Sequence, residues 1–352
     1  MSRSGIGGSR RPFFAAAAAL AVAAAVSVTP LASSASTSRS DGNASSTAAA
    51  VSERAAAKAV AYWTPARMRA AVPYRPKATP GAVASGAGVT RGAPVSVDGR
   101  NVGSAASDGG GPVAEAAVAV PRPYTNAPDK FNGKVFFSHG SVDYVCSGTL
   151  INNPTKNLVW TAGHCVADGE GDHKFHTNWV FVPAYNSNGG GQNPYGKWAA
   201  SSLHTRLPWL QNGNFRQDVG AVVLRKQGGQ TLGQKIGGQG ITFNAAPQAN
   251  YSDFGYPHAP PFNGQSQFRC NSPLVARDNP FNGAGPLTMK INCNMTGGSS
   301  GGGWVVGLNA QGVGHVESVN SYGYTNDSQH EYGPYQGNEA LNLYNSVKNL
   351  AA

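Results

Sequence analysis

The sequence predicts an all-β fold, and three observations predict it. From Lys134 onward, short apolar segments recur at close intervals between Gly, Asn and Pro turns, the spacing of strands in a barrel or sandwich. The segments carry the Val, Ile, Phe, Tyr and Trp that fit a pleated surface, and all four cysteines of the chain fall among them. Eleven segments make up the series: KVFFSH, YVCSGTLI, LVWTAG, NWVFVPAY, DVGAVVLRK, IGGQGITF, SDFGYP, SQFRCNS, LTMKINC, GGWVVGL and GVGHVESVN. Strands so short and so many hide their edges by closing into barrels. The tail breaks the pattern. Leu341, Tyr344, Val347 and Leu350 recur at three-residue steps, which predicts one amphipathic helix over Asn338 to Leu350, packed on the later strands.

The first third of the 352 residues has a different texture. Residues 1–35 read as an export signal: Arg3, Arg10 and Arg11, an alanine-rich apolar stretch from Phe13 to Val28, then Ser33-Ser34-Ala35. Sixteen mostly alanine residues are too few to anchor a chain in a bilayer. The run from Ser9 to Phe14 also has the look of a twin-arginine signal, so the export route stays open. Residues 36–127 are rich in Ala, Ser, Gly and Pro, with too few large apolar side chains to offset the entropy of ordering, so most of this region is expected to be disordered. One island, Glu53 to Ala71, has helix formers and the cluster Tyr62, Trp63 and Met68. It reads as a pro-segment that shields an active site or assists folding, against the plainer reading of a linker. Up to Ala127 there are 13 Lys+Arg and 5 Asp+Glu; beyond it, 14 and 12. Most of the formal charge of +10 therefore belongs to the leader, and a nucleic-acid surface is not indicated.

Three stretches carry the candidate chemistry. In LVWTAGHCV, Leu158 to Val166, a strand runs through small residues into His164, with Cys165 next to it. Alone, such a histidine is more often a packed core residue than a general base. In QDVGAVVL, Asp218 stands at the mouth of an apolar strand, where a carboxylate needs donors and an imidazole N–H is a suitable one. Between Gly297 and Gly303, glycines surround Ser299 and Ser300, allowing the sharp turn that projects a hydroxyl and aims backbone N–H groups at one spot. Each has a bland reading, and with 46 glycines in the chain the third arises by chance more readily than usual.

Together, TAGHC, DVGAVVL and G-x-S-G-G, in the order His, Asp, Ser, resemble the chymotrypsin-like serine endopeptidases over roughly Lys134 to Leu350. The resemblance implies two six-stranded antiparallel barrels and a C-terminal helix on the second, with residues 128–352 as the protease domain. It implies His164 as base, Asp218 as its orienting carboxylate and Ser300 as nucleophile, Ser299 being the competing register. The N–H groups of Gly298 and Ser300 would make the oxyanion hole. Four cysteines allow three pairings; the family's histidine loop implies Cys146 with Cys165, leaving Cys270 with Cys293.

Ser299 stands where trypsin-like members have the aspartate that pairs with a newly freed N-terminus, so activation should instead follow loss of a pro-segment. In this, and in the turn Gly255-Tyr256-Pro257, the chain is closer to V8-like glutamyl endopeptidases. For the substrate pocket the resemblance points to Asn294, His315 and Ser318. Asn294 at the pocket floor does not support cleavage after Arg or Lys, and Glu317 and Ser318 fall where the family's strand edge meets substrate and steadies the aspartate. His139, His173, His176, His204, His258 and His330 have no motif around them. No cofactor is implied, and no metal, since neither C-x-x-C nor H-E-x-x-H is present. The expected partners are protein or peptide substrates, acted on by a secreted monomer with no nucleic acid and no stable membrane anchor. The reading from another class is a non-catalytic protease-like binding module, which a casein assay separates from an enzyme.

Overall fold

A computed structural model of the chain describes residues 46–74, 76, 78, 91–105, 116–187, 193–247, 250–280 and 285–351. The expected export signal lies outside them. Six antiparallel strands form a closed barrel: Asn132–His139, Val142–Ile151, Leu158–Thr161, Thr177–Pro183, Trp198–Arg206 and Gly220–Leu224. Closure comes from Trp198–Arg206, whose Leu203 pairs with Val222 on one side and whose Trp198 pairs with Phe181 on the other. The alternation of these strands sends Val135, Phe137, Leu150, Trp160, Phe181 and Val222 into one buried core.

A second sheet runs in the order His330–Gly333, Thr288–Asn292, Phe268–Asp278, Asn250–Gly255, Gly303–Val306, His315–Val319, Gly240–Phe243 and Val95–Val97. All its pairs are antiparallel except Gly240–Phe243 with His315–Val319. Two of its strands come from ahead of residue 128: Val95–Val97, and Val118–Ala119, which pairs with Phe268–Asp278. The expected helix forms over Asn338–Val347, and its buried face is Ala340, Leu343, Tyr344 and Val347. Leu350 lies beyond its end and is exposed. Contrary to expectation, the helix packs chiefly on the first barrel, against Trp198–Arg206 and Gly220–Leu224, with Tyr344 also meeting Phe243. The disulfides are Cys146–Cys165 and Cys270–Cys293.

The described part of the 36–127 region is folded, which overturns the expectation of disorder there. Ser46–Ala50 adds a strand to the free side of Trp198–Arg206, from Ser46 opposite Arg206 to Ala50 opposite Ser202. Ser52 then caps the helix Glu53–Tyr62, accepting from the Ala55 N–H at 3.2 Å, and Thr64 with Pro65 starts the helix Pro65–Ala70. Composition alone missed this because the apolar surface is supplied by the barrel. Trp63 is fully buried against Phe136, and its indole N–H donates to the Asn178 carbonyl. The Lys197 ammonium donates to the carbonyls of Val60 and Trp63 at 2.6 and 2.8 Å, where the orphan carbonyls of the helix end favour a cation. Among the described residues no helix is long and apolar enough to cross a membrane.

Candidate active site

The site sits where the loops after Leu158–Thr161 and before Gly220–Leu224 meet the loop before Gly303–Val306. His164 lies in a short 3-10 turn, Gly163–Cys165, that ends the strand carrying Trp160. Asp218 ends another such turn, just before the neighbouring strand begins. The pairing of Thr161 with Gly220 brings the two turns together, and the Asp218 carboxylate grips His164 twice. Its Oδ1 accepts the His164 backbone N–H at 2.7 Å, and its Oδ2 lies 2.7 Å from His164 Nδ1. Both side chains are fully buried. A carboxylate sealed from water needs such donors, and the geometry leaves His164 Nε2 as the free ring nitrogen.

A third donor reaches Asp218 from the other sheet. Ser321 Oγ donates to Asp218 Oδ2 at 2.5 Å. This corrects the assignment of Ser318, whose hydroxyl instead donates to the Pro334 carbonyl. The chain leaves its ladder later than the resemblance implied. Asn320 N–H donates to the Gly302 carbonyl and Gly301 N–H to the Asn320 carbonyl, so Asn320 and Ser321, not Glu317 and Ser318, stand beside the serine loop. His315 is corrected with them. It pairs with Val306, its Nδ1 lies 2.8 Å from Thr242 Oγ1, and it stands six residues before Ser321, the one that reaches Asp218. The Asn294 side-chain oxygen accepts the Ala117 N–H at 2.7 Å.

The loop from Gly297 to Gly301 is bound on every side. Ser147, next to the Cys146–Cys165 bridge, donates its N–H to the Ser300 carbonyl at 2.6 Å and its hydroxyl to the Gly298 carbonyl at 2.8 Å. Gly298 has φ +107°, and a Cβ there would meet the Tyr256 carbonyl at 2.7 Å. Gly301, at φ +80°, leaves no room for a Cβ beside Thr161 and Ser147. The Gly297 carbonyl turns outward to accept from His258 and Ala259. Among the described residues neither the Gly298 N–H nor the Ser300 N–H has a protein acceptor. Ser299 Oγ lies 2.9 Å from both the Thr296 carbonyl and the buried Glu331 Oε1. No hydrogen bond joins Ser300 Oγ to His164 Nε2, which is buried without a partner among the described residues.

Sequence reasoning also missed His176, one of the histidines without a motif. Its Nε2 donates to the His164 carbonyl at 2.9 Å and its ring stacks on Phe137 at 4.2 Å. Burial pushes its pKa down to about 3, so it stays neutral. Two groups bring metal-ligating atoms together among the described residues. In one, Cys146 and Cys165 are joined in a disulfide and cannot act as thiolates. In the other, with His139 and Asp172, the Asp168 oxygens already accept from Tyr74 and from the backbone of Glu170, Gly171 and Asp172.

The barrel, the second sheet and this cluster at their junction define a chymotrypsin-like protease, and the comparisons place the chain among its bacterial members. The chain belongs to the chymotrypsin-like family of secreted bacterial serine proteases. It is 42% identical to the protease Anisep of Arthrobacter nicotinovorans, covering 64% of this chain and 98% of that one, with a TM-score of 0.56. It is 40% identical to the thermostable serine protease AL20 of an extremophilic microorganism, covering 62% of this chain and 97% of that one, TM-score 0.57. A Glu endopeptidase shares the fold at 18% identity and TM-score 0.52, over 66% of this chain and 97% of that one. The family described as lysyl endopeptidase, C-terminal domain, matches residues 119–232, which include His164 and Asp218 and stop short of Ser300. An extracellular metalloprotease of Bacillus subtilis is 31% identical over 97 residues, 28% of either chain.

Proposed function

We propose that the protein is a secreted serine endopeptidase, made as a precursor, that hydrolyses peptide bonds through an acyl-enzyme. The observation that carries the reading is the Asp218 carboxylate, which fixes His164 through two bonds and is itself steadied by Ser321 across the two sheets. Ser300 Oγ attacks the scissile carbonyl carbon while His164 Nε2 takes its proton; Asp218 stabilises the imidazolium. The carbonyl oxygen becomes an oxyanion held by the N–H groups of Gly298 and Ser300, which have no other acceptor among the described residues. Each donor of this kind is typically worth about 3 kcal/mol in the transition state. Collapse breaks the C–N bond, His164 returns the proton to the amine, and water then hydrolyses the Ser300 ester by the same path.

Export through residues 1–35 and removal of a pro-segment within residues 36–127 complete the reading. It is supported by the extracellular relative and by the docking of that segment on the barrel. The substrate is a protein or peptide, and the enzyme a monomer. A fluorophosphonate should label the processed enzyme stoichiometrically on Ser300, and Ser300→Ala should take up none. Labelling elsewhere, or no labelling of the processed enzyme, overturns the assignment.

A further inference from the structure

His164 has no exposed surface, although its Nε2 has no hydrogen-bond partner among the described residues. A base that must meet a substrate and its nucleophile is not expected to be sealed. Tyr74, from the N-terminal segment, is among the groups that cover it. After its second helix the chain pairs in parallel with the first barrel, Val72 opposite Tyr144 and Pro73 opposite Val145, and the Tyr74 N–H donates to the Val145 carbonyl at 3.4 Å. The Tyr74 ring then lies over the His164 imidazole, 6.2 Å away and inclined by only 17°. Tyr144 and His176 meet its sides at 5.0 and 5.3 Å, Phe137 at 5.8 Å and His139 at 6.1 Å. At the far end the Tyr74 hydroxyl donates to Asp168 Oδ1 at 2.9 Å. Asp168 is prepared for it, since three successive backbone N–H groups hold its carboxylate. Beyond Tyr74, Ala78 packs against the cluster of Trp209, Phe215, Tyr322 and Tyr332, whose Trp209 ring lies 6.0 Å from that of His164. Tyr74 and the ring of Trp209, whose cluster Ala78 joins, thus both neighbour His164.

Resting on the serine-protease reading, we propose that this aromatic pocket is a binding site for a tyrosine side chain, filled in the uncleaved chain by Tyr74, which shuts off His164. The chemistry is specific to a phenol. Five surrounding rings take the ring, and a fixed carboxylate accepts a hydrogen bond from the hydroxyl, which phenylalanine cannot offer. Because Tyr74 is tethered, it meets its pocket at an effective concentration of about 1 mM. An intrinsic dissociation constant of about 100 μM then leaves about one molecule in ten open. Cutting the chain beyond Tyr74 removes the tether and lets the segment dilute away.

The test is the rate of Ser300 labelling by a fluorophosphonate in the freshly purified full-length chain, its Tyr74→Ala and Tyr74→Phe variants, and the secreted processed enzyme. The full-length chain should label about tenfold or more slowly than the processed enzyme. Tyr74→Ala should restore most of that rate, and Tyr74→Phe should fall between. Equal rates for the full-length chain and the processed enzyme, or no gain in Tyr74→Ala, overturn the plug while leaving the serine nucleophile intact. Failure of the processed enzyme to label at all removes the nucleophile and the plug with it. Should Tyr74→Ala fail to fold, a synthetic peptide of residues 46–78 decides. It should inhibit the processed enzyme, and its Tyr74→Ala form should need about tenfold more; equal potency overturns the proposal.

Discussion

Ser321 is separated from Ser318 by only three residues, yet the first touches Asp218 and the second a proline carbonyl. Both lie in HVESVNS, and their order along a strand was legible. The point where the strand leaves its ladder was not, because it depends on Asn320 bonding Gly301 and Gly302 from a separate loop. His164, Asp218 and the serine loop were legible because each sits in a local pattern of small or apolar neighbours. Ser321→Ala removes a donor from a buried carboxylate, a loss of about 1.5–3 kcal/mol, so kcat/KM should fall roughly tenfold to a hundredfold. Ser321→Thr, which keeps the hydroxyl, should recover most of it; unchanged kinetics in Ser321→Ala would remove the residue from the mechanism. Lys134 makes a prediction about stability. It is fully buried, with one acceptor, the Gly264 carbonyl, and burial pushes its pKa down from 10.5 to about 7. Between those values the unfolded chain holds a proton that the folded one has released, so stability should rise from about pH 7 to about pH 10.5, with no such rise below. Thermal melting across that range should show the slope, and Lys134→Met should flatten it.

Among elements, the strand Trp198–Arg206 escaped the sequence reading although it closes the first barrel. Its interior is Ala-Ala-Ser-Ser, which offers neither the β-branched residues nor the alternation that marks a strand. Its place comes from neighbours on both sides, information that no local window holds. The helix Glu53–Tyr62 is the reverse case: its formers and the Tyr62-Trp63-Met68 cluster were visible, but the barrel surface that receives them was not. Its grip on that surface rests heavily on Trp63, which fills a closed site beside Phe136 and Tyr62. Trp63→Ala should destabilise the full-length chain by about 3–5 kcal/mol, read from chemical unfolding. A shift well under 1 kcal/mol would mean that the segment lies only loosely on the barrel.

At the scale of the whole molecule, the two sheets bring different parts of one site, and Ser147 fastens them. It belongs to the first barrel, adjoins the Cys146–Cys165 bridge, and holds both the Ser300 and Gly298 carbonyls. Replacing both cysteines by alanine should cost roughly 2–4 kcal/mol of stability. It should also lower kcat in the protein that remains folded, because the bridge ties Ser147 to the turn bearing His164. Loss of stability with full kcat in the folded fraction would show that Ser147 keeps its place unaided. Glu331 has a separate consequence. It braces Ser299 from inside the second sheet, so the serine loop takes part of its shape from a residue far beyond the proposed pro-segment. Trimming need not stop at one defined bond: a population of secreted molecules whose ragged beginnings all lie beyond Tyr74 should turn over substrate at a single common rate.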